Sequence, residues 1–160
     1  MIDGTDLEIL TIIQSAARTS NAEIARRVGL APSAILERIR KLEEHGVIEG
    51  YFARLRPPAL HLGLLAFVFV RTEDRVDSTE TGRALARIPE VLEVHDIAGE
   101  DCFLVKVRVE STEALGRFLR ERIGTIPAVR STRTTIVLET VKETANLPVP
   151  ARETAGVLDD

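Results

Sequence analysis

The sequence predicts an α+β chain in which three N-terminal helices, two of them arranged as a helix-turn-helix, precede a ferredoxin-like βαββαβ domain. Through residues 1–50, apolar residues recur every three or four positions, which is the period of an amphipathic helix. From residue 64 onward, apolar or alternating runs and two helical patterns follow the order strand-helix-strand-strand-helix-strand. We therefore predict a helical domain over 1–50, a linker strand and hinge over 51–63, and the second domain over 64–145.

Each N-terminal helix carries its own start and stop signals. Polar residues with an acid three positions later have the spacing of a capping box, proline suits the first helical turn, and glycine suits the position after a helix. The signals are Thr5 with Glu8 for the first helix, Ser20 with Glu23 for the second, Pro32 for the third, and Gly29 and Gly46 after the second and third.

The second and third helices have the spacing of a helix-turn-helix, with the motif at about residues 22–41. Ala25 is small where the third helix would cross the second. Gly29 can adopt the positive φ that a tight turn requires, and Ile35 would anchor the third helix to the core. The alternative is an ordinary three-helix bundle that does not bind DNA.

Helical geometry then predicts a DNA-binding face. With Ile35, Ile39 and Leu42 turned inward, the third helix exposes Ser33, Ala34, Glu37, Arg38 and Lys41. The guanidinium fork of Arg38 matches O6 and N7 of guanine, whereas Ser33 and Lys41 suit phosphates. Flanking DNA backbone could be neutralised by Arg26, Arg27 and Arg40. The alternative for these cations is an ordinary solvated, charged helix face.

The second half has a different pattern, and its predicted elements alternate strands with helices. They are a strand over 64–71, a helix over 78–88 capped by Ser78, strands over 91–97 and 102–109, a helix over 111–123, and a strand over 130–140. Residues 146–160 contain two prolines and no periodicity, so we predict a mobile tail there.

Composition limits the function classes. The chain has 160 residues, a formal net charge of −4, 4% aromatic residues and one cysteine. The low aromatic content disfavours stacking platforms for single-stranded nucleic acid. A single cysteine excludes an internal disulfide and a CxxC zinc site. The longest apolar run, Leu62–Val70, is about half of a membrane span, and the acidic N-terminus is not a secretory signal. We expect a cytoplasmic protein that does not contact membranes.

The segment NAEIARRVGLAPSAILERIRKLEEHGVIEGYFARLRP closely resembles the helix-turn-helix and linker of the Lrp/AsnC (feast/famine) transcription regulators. The segments IAGEDCFLVKV and IPAVRSTRTTIVLETVK resemble the small-molecule-binding domain of that family. The resemblance covers roughly residues 3–148. It implies a winged helix-turn-helix that binds double-stranded DNA, and a homodimer formed through the sheets that assembles into tetramers or octamers.

The resemblance also implies a small-molecule effector, usually an amino acid, bound in a cleft between subunits. The matching residues here are Gly99, Glu100 and Asp101 in a turn, with Thr132 and Thr134 on the last strand. Glycine would let backbone amides approach a ligand carboxylate, and a nearby acid would hold its ammonium group. The alternative is a simple turn between two strands. Ala31 and Cys102 depart from residues common in the family, a serine and an aspartate.

Catalytic motifs are sparse. The sequence has no GxSxG, HExxH, P-loop or GxGxxG pattern, so we expect no enzyme activity, metal or cofactor. The histidines, His45, His61 and His95, are separated from one another. The alternative function is that of the sirohaem decarboxylases, tetrapyrrole enzymes whose fold looks the same, in which His95 could contact haem.

Overall fold

The computed structural model describes residues 2–73 and 80–150, which fall into two compact units. The helical unit contains the chain up to Arg54 together with the segment that begins at Glu143, and the sheet unit is Leu55–Lys142. The boundary at Arg54 lies within the linker predicted over 51–63. The elements are α1 (Gly4–Ser15), α2 (Asn21–Val28), α3 (Pro32–Glu44), β1 (Leu64–Thr72), α4 (Glu80–Ala86), β2 (Val91–Asp96), β3 (Phe103–Val109), α5 (Thr112–Phe118) and β4 (Val129–Ile136).

Helix α1 begins with a reciprocal capping box that differs from the predicted one. The Asp3 carboxylate accepts a hydrogen bond from the Asp6 backbone N–H at 2.8 Å, and the Asp6 carboxylate accepts one from the Asp3 N–H at 3.1 Å. The prediction of Thr5 with Glu8 was therefore wrong by two positions. Aspartate at the N-cap also places negative charge at the positive end of the helix dipole, which favours the observed start.

The turn between α2 and α3 forms as predicted. The Ser20 hydroxyl caps α2 by accepting from the Glu23 N–H at 3.3 Å. Gly29 ends α2 with φ +78°, and Gly46 follows α3 with φ +69°, so both glycines occupy the left-handed region. Helix α3 starts at Pro32, and its N-cap Ala31 makes no side-chain capping bond.

The three helices enclose one apolar core. Ile24 and Ala25 of α2 meet Ile35 of α3, and each is at most 3% exposed. This confirms the predicted roles of Ala25 and Ile35 in the helix-turn-helix. The rest of the core consists of Ile9, Ile13, Ile39 and Leu42.

Four antiparallel strands form the sheet in the order β2-β3-β1-β4. This order and the intervening helices confirm the ferredoxin-like βαββαβ plan. Alternating residues of β1 and β3, such as Val68 and Val105, pack against α4 and α5 through Leu85 and Leu115. The alternate side chains, among them Phe69, lie on the opposite face of the sheet, which we call the open face.

Several predicted boundaries need correction. Residues 51–63 form no strand; they contain a 3₁₀ turn at Pro57–Leu60, because prolines suit the first positions of such a turn. The predicted helix over 111–123 is α5 followed by a π-helical turn, Leu119–Ile123. Strand β4 ends at Ile136, four residues early. The predicted cap Ser78 lies outside the described residues.

The C-terminal segment returns to the helical unit. The Leu147 N–H donates to Gln14 Oε1 at 2.7 Å, and Gln14 Nε2 donates to the Leu147 carbonyl at 3.1 Å. Val149 and Pro150 line a groove together with Leu7, Ile12 and Val28. Leu147, Val149 and Pro150 of the predicted tail therefore lie against the helical unit, and residues 151–160 lie outside the described part.

Candidate functional site

Helix α3 presents the polar row that helical geometry predicts. Ser33, Glu37 and Lys41 are exposed, and Ala34 is half-buried beside them. Ile35, Ile39 and Leu42 are buried on the opposite side. Because the turn at Gly29 fixes α3 against α2, the row lies on one continuous side of the helical unit. This side is the candidate DNA-binding face.

Arg38 is held by two carboxylates of the helical unit. Its side chain is 33% exposed, and Nη1 donates to Asp3 Oδ2 and to Asp6 Oδ1, both at 2.8 Å. These bonds join α3 to the first turn of α1, and they raise the pKa of Arg38, with the bond to Asp6 contributing most. Without DNA, two carboxylates therefore hold the guanidinium, and the predicted contact with a guanine edge stays a prediction. The carboxylates that hold it lie 32 and 35 positions away in the sequence.

Arg26 and Arg27 share one carboxylate. Arg26 binds Glu23 through Nε at 2.9 Å and Nη2 at 2.7 Å, and Arg27 Nε donates to the same group at 2.7 Å. Hydrogen bonds from Arg26 and then from Arg27 lower the pKa of Glu23 to about 2. Both arginines are exposed, so they can exchange this partner for another anion at small cost.

The cations of α3 other than Arg38 pair within the helix. Arg40 binds Glu37 at 2.9 Å and Glu44 at 2.6 Å, and Lys41 lies 3.7 Å from Glu37. The hydrogen bond from Arg40 lowers the pKa of Glu37. Such exposed pairs are each worth about 0–1 kcal/mol. Neighbouring carboxylates therefore balance the cations of this face, and a polyanion can replace those carboxylates.

The predicted effector turn lies between β2 and β3. Gly99 has φ +151°, a conformation that side chains rarely adopt, and an added Cβ there would meet no atom within 4 Å. The turn is fixed to β1 by the Cys102 N–H, which donates to the Val70 carbonyl at 2.9 Å. Val70 in turn pairs with Thr132 of β4. The structure thus brings the turn and the Thr132 end of β4 to the same part of the sheet.

Arg133 is a further residue of this region that the sequence analysis missed. It donates to Asp101 Oδ2 at 2.8 Å and stacks on the Phe69 ring of the open face. Thr132 and Thr134 flank it in sequence and therefore project to the opposite face of β4. The structure does not bring their hydroxyls to the Asp101 side of the strand. The clue in the sequence was one arginine within a run of serine and threonine.

The remaining candidates show no site geometry. His95 is exposed on β2, 3.3 Å from Glu93. Cys102 is half-buried, with Sγ 3.5 Å from the Thr72 nitrogen. Over residues 2–73 and 80–150, no three His, Cys, Asp or Glu side chains are grouped to hold a metal ion. Within the same ranges, no helix has the length and apolar character needed to cross a membrane.

Two family descriptions match the two units. Residues 2–49 match the description "winged helix-turn-helix DNA-binding", and residues 65–147 match "Lrp/AsnC ligand binding domain". The first range contains α1–α3, and the second contains the four-stranded sheet except for Leu64, the first residue of β1.

Relatives match along almost their whole length. The HTH-type transcriptional regulator FL11 of Pyrococcus horikoshii is 42% identical over 92% of this chain and 97% of its own. The leucine-responsive regulatory protein of Escherichia coli K12 is 36% identical over 94% of this chain and 93% of its own. Among solved structures, a transcriptional regulator of Neisseria meningitidis in complex with L-methionine has a TM-score of 0.87 and 32% identity, covering 92% and 97% of the two chains.

Proposed function

Because the chain belongs to the Lrp/AsnC family of DNA-binding transcriptional regulators, we propose that an amino acid modulates its binding to specific operators. The observation that carries the DNA-binding part is the turn at Gly29, which fixes α3 with its polar row outward. A helix held in this way fits the major groove, where it reads base edges with its exposed side chains.

Within this proposal, DNA contacts come from the candidate DNA-binding face. Ser33 and Ala34 lie at the start of α3, and Glu37 and Lys41 lie one and two turns later. Arg26 and Arg27 neutralise flanking phosphates after their ion pairs with Glu23 break. Glu37 suits the amino group of cytosine, since a carboxylate can accept from N4.

Homodimerisation through the sheets is part of the same proposal. The open face carries half-buried apolar side chains, including Phe67, Phe69 and Leu104. Segments of the same unit that flank the sheet add exposed apolar side chains, which are Leu55, Leu138 and Val141. Apolar surface of this kind marks an interaction site. A two-fold dimer places two copies of α3 in successive major grooves, so the operator is a palindrome, and tetramers or octamers built from dimers would bend longer DNA.

The proposed effector site is the turn at Gly99, Glu100 and Asp101. Thr132 and Thr134, which were also predicted for it, project to the opposite face of β4 and would take part only through their backbone. An added Cβ at Gly99 would meet no atom within 4 Å, and this space would let a ligand carboxylate approach the backbone amides. The acids of the turn suit an ammonium group. A neighbour solved with L-methionine and a relative named leucine-responsive make these two amino acids the first ligands to test.

The effector acts, in this proposal, by binding one arrangement of subunits better than another. A site between subunits needs no long pathway to change the spacing of the α3 pairs. Coupling of this kind is typically about 1–3 kcal/mol, which is a 5- to 150-fold change in affinity. No catalytic step is involved, in agreement with relatives that are named as transcriptional regulators.

The test is to capture fragmented genomic DNA of the host organism with the purified full chain at near-physiological salt. Captures are made without amino acids, with L-methionine, with L-leucine and with all twenty, and bound fragments are sequenced. Enrichment of a few palindromic sites that shifts with an amino acid supports the whole proposal. Enrichment that no amino acid changes retains the operator-binding regulator and rejects the effector.

Capture of DNA without sequence preference would overturn the proposal of specific operators. The tetrapyrrole enzyme would then be tested by incubating the protein with sirohaem and recording absorbance in the Soret region. The control for the DNA capture is the Gly29→Pro variant, which should enrich no specific site. Its helix-turn-helix cannot form because proline cannot adopt φ +78°.

A further inference from the structure

Arg38 connects the recognition helix of the proposed function to a carboxylate pair at the start of α1. Asp3 Oδ1 accepts from the Asp6 N–H, and Asp6 Oδ2 accepts from the Asp3 N–H. The other oxygen of each group, Asp3 Oδ2 and Asp6 Oδ1, accepts from Arg38 Nη1 at 2.8 Å. All four carboxylate oxygens are therefore used, two by the capping box and two by Arg38.

The Asp6 end of this connection is better shielded from water than an ordinary surface ion pair, whereas the Asp3 side chain is 51% exposed. The Asp6 side chain is 11% exposed, so its partners exchange with water less readily. Burial alone would raise the pKa of Asp3, but the Asp6 N–H and Arg38 hydrogen bonds keep that pKa below its ordinary value. Charge-assisted bonds to a fixed pair are shorter and more directional than neutral ones.

The other basic residues of α2 and α3 behave differently. The partners of Arg26, Arg27, Arg40 and Lys41 are glutamates on the same helix. Exchanging those glutamates for phosphate moves no helix. Arg38, in contrast, bridges two helices, so releasing it would remove a polar constraint between α1 and α3.

Such a constraint matters because apolar packing is non-directional. Ile35, Ile39 and Leu42 bury α3 against the core, and a polar contact adds a directional constraint to that packing. Base readout requires side chains to be held within about 0.5 Å of their productive positions. A guanidinium fixed to two carboxylates supplies the missing direction.

We infer that Arg38 is a positioning residue, which sets the angle of α3 against α1 through Asp3 and Asp6 and thereby aligns the exposed row for base readout. The inference rests on the proposed function in that α3 enters the groove. It assigns Arg38 a role without contact to DNA. It also makes the capping box of α1 part of the recognition apparatus.

A double-mutant cycle on the full chain tests this role. The variants are Arg38→Gln, the paired Asp3→Asn/Asp6→Asn, and their combination, with Arg38→Lys as the conservative variant. Lys41→Gln is the matched control, because Lys41 lies on the same helix and pairs locally. Asp3→Asn alone, at the more exposed carboxylate, serves if the paired variant does not fold.

Two quantities are measured, both at a temperature below the midpoint of thermal unfolding of every variant. The first is affinity, over a range of salt, for the duplex that the wild type enriches most from a random library, and for a scrambled duplex. The second is the angle between α1 and α3 in the DNA-free protein, from residual dipolar couplings of backbone amides.

We expect Arg38→Gln and the paired aspartate variant each to lose about tenfold or more for the selected duplex, with little change for the scrambled one. The combination should be no worse than either alone, because both break one network. Arg38→Lys should not restore binding, since the shorter lysine side chain does not carry its ammonium to the position of Nη1, the atom that makes both bonds. Both variants should change the angle, whereas Lys41→Gln should leave it unchanged and lower the salt slope by about one.

Direct contact with DNA gives the opposite pattern. If Arg38→Gln lowers the salt slope or relaxes one base position while the aspartate variant binds normally, the inference is overturned. An unchanged helix angle in both variants also overturns it. If the wild type enriches no sequence, the proposed function fails, and the angle alone then decides whether Arg38 positions α3.

Discussion

The guanidinium carbon of Arg133 lies 4.0 Å from the centroid of the Phe69 ring, and the same guanidinium holds Asp101 of the Gly99 turn at 2.8 Å. Phe69 and Arg133 are direct partners across β1 and β4. One side chain therefore connects the proposed effector turn to the open face of the sheet. Effector binding and subunit contact would share this residue.

Replacing Arg133 should loosen the turn. We expect Arg133→Ala to weaken binding of L-methionine or L-leucine about three- to tenfold, because an exposed ion pair and a cation–π contact are each worth about 1 kcal/mol at most. Isothermal titration calorimetry measures the change. Arg130→Ala is the control, since Arg130 pairs with Glu73. Equal losses in both variants would mean that Arg133 has no special role.

Gly99→Asp should abolish the effector response and leave DNA binding intact. The φ of +151° disfavours any side chain, and a carboxylate would repel that of the ligand. The measurement compares operator affinity with and without the amino acid that shifts the wild type. A full response in the variant would reject the turn as the effector site.

Glu23→Gln should strengthen sequence-independent DNA binding. The change releases Arg26 and Arg27 from their shared carboxylate and removes one negative charge. We expect a steeper salt dependence of affinity, by up to about two phosphate contacts. Glu49→Gln carries the same change in charge outside this cluster. If it has the same effect, net charge alone is responsible.

Tyr51 is the single tyrosine of the chain, so ultraviolet absorbance reports its ionisation alone. Burial and the hydrogen bond to Glu43, at 2.8 Å, raise its pKa to about 12. A raised pKa means that this contribution to stability is complete below the ordinary value of 10.0 and is lost as pH rises towards 12. Glu43→Gln should lower the midpoint, and Glu44→Gln, which removes a partner of Arg40, should not.

Gly29→Ala should lower the free energy of unfolding by about 1 kcal/mol, since the φ of +78° is costly for residues with a Cβ. Gly63→Ala is the control, as its φ lies outside the left-handed range and no atom lies within 4 Å of the added carbon. It should change the value by less than about 0.5 kcal/mol. Urea unfolding followed by circular dichroism gives both numbers.

Sequence reasoning succeeded where the cause is local. Ser20, Gly29 and Gly46 act within a few residues of themselves, through one hydrogen bond or one dihedral angle. The succession of strands and helices in the second unit followed from alternation of apolar and polar residues along the chain. The start of α1 was missed because Asp3 and Thr5 are both acceptable caps, and a tertiary partner decides between them.

The rest depends on contacts that no periodicity reveals. Arg38 meets its carboxylates 32 and 35 positions away, and Arg133 meets Asp101 32 positions away. Strand β4 ends earlier than predicted because the neighbouring strand β1 offers no further residues to pair with. The Val137 N–H already donates to the carbonyl of Leu65, the second residue of β1. β-propensity alone could not show this.

The hydrogen bonds between Gln14 and Leu147 span 133 positions of the chain. The helical unit is therefore split in sequence, with the whole sheet unit inserted between its two parts. Closing so long a loop carries an entropic cost that local contacts avoid. During folding, α1–α3 can assemble early, whereas the contact between Gln14 and Leu147 must wait for the inserted unit to fold. The amide hydrogen of Leu147 should also be the first of the helical unit to exchange with solvent.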